Sequence, residues 1–247
     1  MRIIEQPWEK NNLGVVSAEF CFALSDKLDE LKKAKVDSCQ KYDYQSARIP
    51  AGRMDIAYWL EENGFRFAEA SIEIEAGLEL LKIPEVFKKL EGSMDEHPAD
   101  HNETEAVYEK IRMGIFNTDK IALDPRFGIR QSGLRFANWC RQEVEAGNAK
   151  VYIVEYSGMP IGFYVLKEEN RTTAYSLLAG LFDQKKYMGL GYSVLYYPMA
   201  RAKKEGKKKI ITKVSSNNPA SLKMHLYIGY MIKRMNYIYV KHINERN

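Results

Sequence analysis

Apolar and polar positions along this chain change periodicity several times, from alternation to helical spacing and back. Residues 13–24 (LGVVSAEFCFAL) are apolar and β-rich and predict a strand, whereas the polar stretch 26–35 predicts a short helix. An extended segment at 45–50 ends at Pro50, and a helix over 53–63 stops at Gly64. The mostly alternating RFAEASIEIEA that follows reads as a strand. Residues 77–91 read as helical, and the acidic, Pro-containing GSMDEHPADHNETE (92–105) reads as a linker.

A helix is predicted over 104–115, then a turn-rich stretch, then a helix over 131–146. In the second helix Phe136, Trp139 and Cys140 lie at i, i+3, i+4 spacing, the mark of a core stripe. Strands at 149–156 and 160–168 are joined by the turn Ser157-Gly158, and a third strand covers 172–182. A helix over 190–204, a strand over 208–214, a helix over 218–228 and a strand pair within 229–242 complete the chain. Strand alternates with helix after residue 171, so the fold class is α/β, an α+β arrangement on a mixed sheet.

Placing Gly64-Phe65 on Gly229-Tyr230, a shift of 165 residues, makes both segments read helix, Gly-aromatic, strand. Two similar αβ units follow from this, a smaller one over 1–98 and a larger one over 101–247; two unrelated units that each end a helix in a Gly cap would read the same way. Charge divides along the same line. Residues 1–100 hold 13 Lys and Arg against 20 Asp and Glu, and residues 101–247 hold 24 against 13. A basic half suits a phosphate-bearing ligand or complementary packing on the acidic half. The 45% hydrophobic content excludes a disordered chain, and no apolar run reaches the roughly 18 residues of a membrane span. Cys21, Cys39 and Cys140 form no CxxC pair and read as reduced thiols of a cytoplasmic protein, with no metal site.

The stretch Lys186-Tyr187-Met188-Gly189-Leu190-Gly191 lies between a predicted strand and a predicted helix. Glycines let a ligand approach the backbone closely, and a helix start presents unpaired N–H groups, which together form a pyrophosphate cradle. A dinucleotide motif fails because Val194 replaces the third Gly, and a Walker A loop fails because no GK[ST] follows.

The order strand, K-x-x-G-x-G, helix, strand, Asn218-Pro219-Ala220-Ser221-Leu222, Gly229-Tyr230 resembles the GNAT superfamily of N-acetyltransferases across 101–247. DPRF (124–127), the aromatic helix at 136–139 and VYIVEYSGMPIGFYVL (151–166) resemble the bacterial subgroup containing dTDP-fucosamine acetyltransferase. That resemblance implies a GNAT acyltransferase fold preceded by a smaller, degenerate GNAT-like domain. It also implies an acetyl-CoA-dependent N-acetyltransferase acting on a small amine, with acetyl-CoA as acyl donor and no metal. Residues Lys186, Tyr187, Met188, Gly189, Leu190, Gly191, Tyr192, Ser193 and Asn218 would then bind acetyl-CoA, with the N–H groups at 187–193 on the pyrophosphate and the pantetheine arm near Leu178–Phe182. A backbone N–H of Leu181 or Phe182 would face the thioester oxygen. Tyr187, Met188 and Tyr192 fit core packing equally well.

The family's proton donor to the leaving thiolate is a Tyr seven residues after the motif Asn, and here that position is His225. Seven residues rotate about 700° on a helix, so Asn218 and His225 share a face, whereas Tyr227 lies opposite. A lone helical His is as readily structural as catalytic. Glu155 and Asp183 are the carboxylates expected nearest the site, and the base stays unassigned. The acceptor class is open between an amino-sugar nucleotide and an aminoglycoside, polyamine or protein amine. A non-catalytic acyl-CoA sensor also fits, because Lys186 and His225 depart from the family pattern. KKEGKKK (203–209) reads as a solvated helix end, a contact for the 3′-phosphate of CoA or a nucleic-acid contact, and no interleaved aromatics support the last. No membrane partner is expected, and a homodimer is compatible with the sequence.

Overall fold

A computed structural model of the chain describes residues 1–29 and 41–243. Residues 30–35 of the helix expected at 26–35, and Cys39, lie outside the described residues. The chain forms two compact units. The first holds Met1–Ile72, Ser215–Asn217 and Arg234–Asn247, and the second holds Glu73–Val214 and Asn218–Lys233. The boundary expected at 98–101 therefore falls within the second unit.

In the first unit, strands β1 (Arg2–Glu5) and β2 (Ser17–Cys21) pair antiparallel, and β2 runs parallel to β3 (Tyr44–Pro50). Residues 236–242 of the last strand, β10 (Met231–His242), pair antiparallel with β3. Helix α1 (Glu9–Leu13) ends at Gly14 with φ +73°, so the strand expected over 13–24 shrinks to β2. The alternation of β2 and β3 puts Ala18, Phe20, Ala47 and Ile49 on one face. Helix α2 (Met54–Glu62) covers that face with Ile56, Ala57 and Leu60.

Strand β4 (Arg66–Gly77) passes from the first unit to the second. The helix expected over 77–91 is reduced to α3 (Glu85–Lys88). Pro84 accounts for this, because it has no N–H to donate and biases Ile83 toward extended conformations. The expected linker at 92–105 is ordered instead. Its residues form β5 (Met94–Pro98), paired with β6 (Ala149–Tyr156), and the start of α4 (His101–Arg112). Its acidic residues make a capping box, in which the Asp100 carboxylate accepts from the Glu103 N–H at 2.8 Å and the Glu103 carboxylate accepts from the Asp100 N–H at 2.9 Å.

Strand β6 pairs antiparallel with β7 (Met159–Asn170), and β7 with β8 (Thr173–Leu181). Helix α5 (Ile129–Glu145) and α4 cover one face of these strands, with Val107, Ile111, Ala137 and Cys140 packed on Val151, Ile153, Phe163 and Val165. Phe136 and Trp139 pack at the margin of this core, as their spacing predicts. Helix α6 (Ser193–Lys204) leads into β9 (Lys209–Ser215), and α7 (Pro219–Tyr227) leads into β10. The strand pair expected within 229–242 is this one continuous strand. The architecture is a mixed α/β sheet with parallel and antiparallel pairs.

The aligned segments 64–65 and 229–230 close in the same way. Gly64 has φ +80° and Gly229 φ +105°. The Phe65 N–H donates to Leu60 O at 3.0 Å, and the Tyr230 N–H to His225 O at 3.0 Å. Gly64 donates to Glu61 O at 3.0 Å and Gly229 to Leu226 O at 3.2 Å, so each helix ends in a Schellman motif followed by a buried aromatic ring.

The contact of α4 with α5 generates a prediction. A Cβ on Gly133 would sit 2.5 Å from Arg112 O and 2.9 Å from Ile111 O, both main-chain atoms that cannot rotate away. Gly133→Ala should destabilise the protein by about 1–3 kcal/mol, read as a lowered urea midpoint at unchanged slope.

Candidate functional site

The site begins where the sheet divides. Strand β8 runs parallel to β9 through Thr173–Lys209, Ala174–Ile210 and Tyr175–Ile211. Thr212 Oγ1 then donates to Ser176 O at 2.8 Å, and among the described residues the ladder ends at Tyr175–Ile211. On its other side β8 stays paired with β7 as far as Leu181. Between Leu178–Val165 and Ser176–Leu166 the register shifts, which leaves Leu177 as an extra residue in β8. A bulge of this kind increases local twist and turns one strand from its neighbour.

The bulge decides which backbone groups face the opening. The Phe182 N–H donates to Ile161 O at 2.9 Å, so it is not available to a ligand, and the expectation for Phe182 is corrected. Hydrogen-bonding direction alternates along a strand, so the Leu181 N–H points away from β7, toward the edge that β9 has left. Gly162 stands opposite Leu181, and a Cβ there would lie 2.5 Å from Gly180 O and 2.8 Å from Val194 Cγ1. The missing side chain lets the first turn of α6 pack against this end of the sheet.

The segment after β8 is tied by Asp183, whose carboxylate accepts from the N–H groups of Lys185 at 3.0 Å and Lys186 at 2.9 Å. These bonds hold the Asp183 carboxyl below its usual range, which makes it a weak base for an amine proton. The N–H groups of Tyr187, Leu190 and Ser193 are used in successive turns, to Asp183 O, Tyr187 O and Leu190 O. Those of Met188, Gly189, Gly191 and Tyr192 take no part in these turns. The cradle expected over 187–193 is therefore narrower than the sequence implies. Helix α6 then starts at Ser193 with no side-chain cap at Tyr192.

The two glycines differ. Gly189 has φ +88°, a conformation that itself favours glycine. Gly191 is not left-handed, and a Cβ there would make only an ordinary contact, 3.9 Å from Leu181 Cδ1. Lys186 and Met188 are exposed, whereas Leu190 is half-buried. Tyr187 is half-buried beneath the Lys186 ammonium, which lies 5.1 Å from its ring centre. The Tyr192 ring is buried and stacks on Phe87 at 3.6 Å, and the buried Ser193 hydroxyl donates to Leu190 O at 2.6 Å. The side chains of Tyr192 and Ser193 thus serve packing and loop closure.

Asn218 caps α7, its side-chain oxygen accepting from the Ser221 N–H at 3.1 Å. His225 is buried, with its Nδ1 at 2.8 Å from Ser221 O and its ring edge-on to Tyr230 at 5.0 Å. A carbonyl oxygen can only accept, so the Nδ1 that faces it carries the proton. Burial lowers the His225 pKa and keeps the ring neutral, with a lone pair at Nε2 and no second proton to donate. Tyr227 is exposed, its ring centre 6.1 Å from that of Phe87 and edge-on to it. Glu155 lies at the end of β6, 3.9 Å from Nδ1 of His97, and His97 also meets Glu103 at 3.0 Å. Among the described residues no cluster of acidic, His and Cys side chains could hold a metal ion, and no helix is long and apolar enough to cross a membrane.

No family model matches the sequence, and no curated protein matches it. Solved structures match its fold. A GCN5-related N-acetyltransferase from Sphaerobacter thermophilus aligns with a TM-score of 0.56 at 13% identity, over 81% of this chain and 60% of its own. The glucosamine N-acetyltransferase region of a fungal multi-domain β-N-acetylglucosaminidase aligns with a TM-score of 0.67 at 12% identity, over 91% of this chain and 30% of that one. A tandem GNAT protein from the clavulanic acid pathway aligns with a TM-score of 0.51 at 10% identity, over 94% of this chain and 76% of its own. The chain spans less than two thirds of the first two of these structures. These likenesses show the GNAT fold.

The buried His225 ring sets a pH dependence. Its folded pKa is below the ordinary 6.5, so between the two values the unfolded chain binds the proton and the folded chain does not. Stability is therefore full above about pH 6.5 and falls as pH drops below it. His97, raised mainly by its bond to Glu103, acts with opposite sign, so the readout is a difference between variants. Urea titrations should show wild type losing up to about 1.4 kcal/mol per pH unit more than His225→Gln below that pH.

Proposed function

We propose that this chain is an acetyl-CoA-dependent N-acetyltransferase that passes the acetyl group directly to a primary amine of a small molecule. The observation that carries the reading is the pairing of a divided sheet with a glycine that folding does not require. Gly191 adopts an ordinary backbone conformation with room for a side chain, yet it borders both the β8 end and the uncapped start of α6. An absent side chain has a purpose there if a ligand approaches the backbone. The N–H groups of Gly189, Gly191 and Tyr192, with Lys186 exposed beside them, suit an anionic pyrophosphate.

In this reading the amide-rich arm of acetyl-CoA lies along the β8 edge that β9 has left, and its thioester oxygen meets the Leu181 N–H. The amine nitrogen attacks the thioester carbon, and the oxyanion of the tetrahedral intermediate gains a preorganised donor, a contribution typically of a few kcal/mol. The intermediate then breaks its C–S bond and releases the amide and the thiolate. A thiol of ordinary pKa, about 8.5, leaves as a modest base that solvent can protonate. We accordingly assign His225 to holding α7 and Tyr230 rather than to proton donation. The amine gives its proton to solvent or to a carboxylate at the strand ends.

An amino sugar, in nucleotide-linked form as in the dTDP-fucosamine subgroup, is the acceptor class that the sequence resemblance supports. The smaller first unit, with its matching Schellman closure and no Gly loop, is read as a degenerate GNAT-like domain. A second reading, an acyl-CoA-binding module without turnover, draws on the commitment of His225 to Ser221. Thiol release from acetyl-CoA that depends on added amine separates the two.

Gly191→Val tests the carrying observation. The variant should melt within about 1 kcal/mol of wild type, because the backbone there accepts a side chain. It should lose at least about tenfold in acetyl-CoA affinity by calorimetry. Unchanged affinity would remove this loop from the site.

A further inference from the structure

The mechanism leaves unused the segment between β4 and β5, which crosses the second unit as a strap along α6. At its start the Leu78 N–H donates to Lys208 O at 2.9 Å, and Lys203 Nζ, in the last turn of α6, donates to Glu79 O at 3.0 Å. At its end the Ser157 N–H donates to Ser93 O at 2.7 Å. Midway, Phe87 lies face to face on Tyr192, with ring centres 3.6 Å apart and planes 4° from parallel. The same ring meets Tyr227 edge-on at 6.1 Å and 85°.

Tyr192 directly follows Gly191 and immediately precedes α6, and Tyr227 ends α7. One ring of the strap therefore touches both helices that carry the sequence signatures of the site. The loop between Asp183 and Ser193 is closed on itself by the Asp183 bonds and successive turns, but Tyr192 makes no side-chain capping bond to the helix it opens, so its ring contact is what ties it to the strap. We infer that Phe87 is a positioning residue, which holds the Gly loop and the ends of α6 and α7 in the arrangement that receives the acyl donor. This rests on the reading above for the identity of the donor, but the tether itself does not. Loss of the ring frees Tyr192 from its stacking partner and lets the loop sample other conformations, which lowers affinity for the donor without touching the reacting atoms.

Hydrogen exchange on the full chain, without ligand, tests the tether. Phe87→Ala should raise exchange over 187–193 by at least about tenfold and leave α4 and α5 unchanged, and Phe87→Tyr, which keeps a stacking face, should restore protection. Unchanged exchange over 187–193 in Phe87→Ala overturns the inference, and so does an equal rise throughout the second unit. Calorimetry with acetyl-CoA supplies the second arm. Phe87→Ala should weaken binding by at least about tenfold with kcat at saturation little changed, and Phe87→Tyr should recover it. A wild type that fails to bind acetyl-CoA overturns the proposed function, while the exchange result still decides the tether.

Discussion

The early parting of β8 from β9 is the constraint on which the rest of the site depends. Three residue pairs join these parallel strands, and the extra residue Leu177 then twists β8 away while β7 keeps its hold to Leu181. Backbone groups along the parted edge forgo ladder partners, which is unfavourable unless solvent or a ligand replaces them. Features around the opening follow from it. Gly162 brings α6 close to β7 and β8, and the direction of the Phe182 bond leaves Leu181 as the outward donor.

Helix α6 is fixed unevenly at its two ends. Its C-terminal half is anchored by a buried network in which Glu96 accepts from the Tyr164 hydroxyl at 2.8 Å and from the Arg201 guanidinium. Tyr152 stacks on Tyr164 at 4.8 Å beneath Arg201, and burial with the nearby Glu96 raises the Tyr164 pKa strongly. An ion pair so enclosed is difficult to break, because removing one partner strands the other. The N-terminal turn has no such network and relies on Ser193, Val194 and the stacked pair Tyr192–Phe87. The helix thus combines a firmly held end with an end held by ring contacts.

The two units end one helix in the same hydrogen-bonding pattern, Gly64-Phe65 in one and Gly229-Tyr230 in the other. In the second unit that closure has a further effect. Tyr230 places its ring against His225, and the Ser221 carbonyl accepts a hydrogen bond from the imidazole Nδ1–H. His225, at the position where the GNAT sequences this chain resembles carry a Tyr, is thereby buried and packed on Tyr230.

By itself, the sequence determined the alternation of strands and helices, the turn at Ser157-Gly158, the repeated helix–Gly-aromatic–strand closure and the K-x-x-G-x-G loop. Each is local, written in periodicity or in glycines at fixed spacing. It misread 77–91 as a helix because composition outweighed Pro84, and it misread 92–105 as a linker because acidic residues in a capping box look like a solvated run. Tertiary structure alone decided which donor faces the opening, since the register of β8 against β7 selects Leu181 over Phe182. It also decided the state of His225, because burial lowers its pKa and the Ser221 carbonyl fixes Nδ1 as the donor. The contact of Phe87 with Tyr192, 105 residues apart, carries no sequence period, because stacking depends on how the strap crosses α6 and not on spacing along the chain.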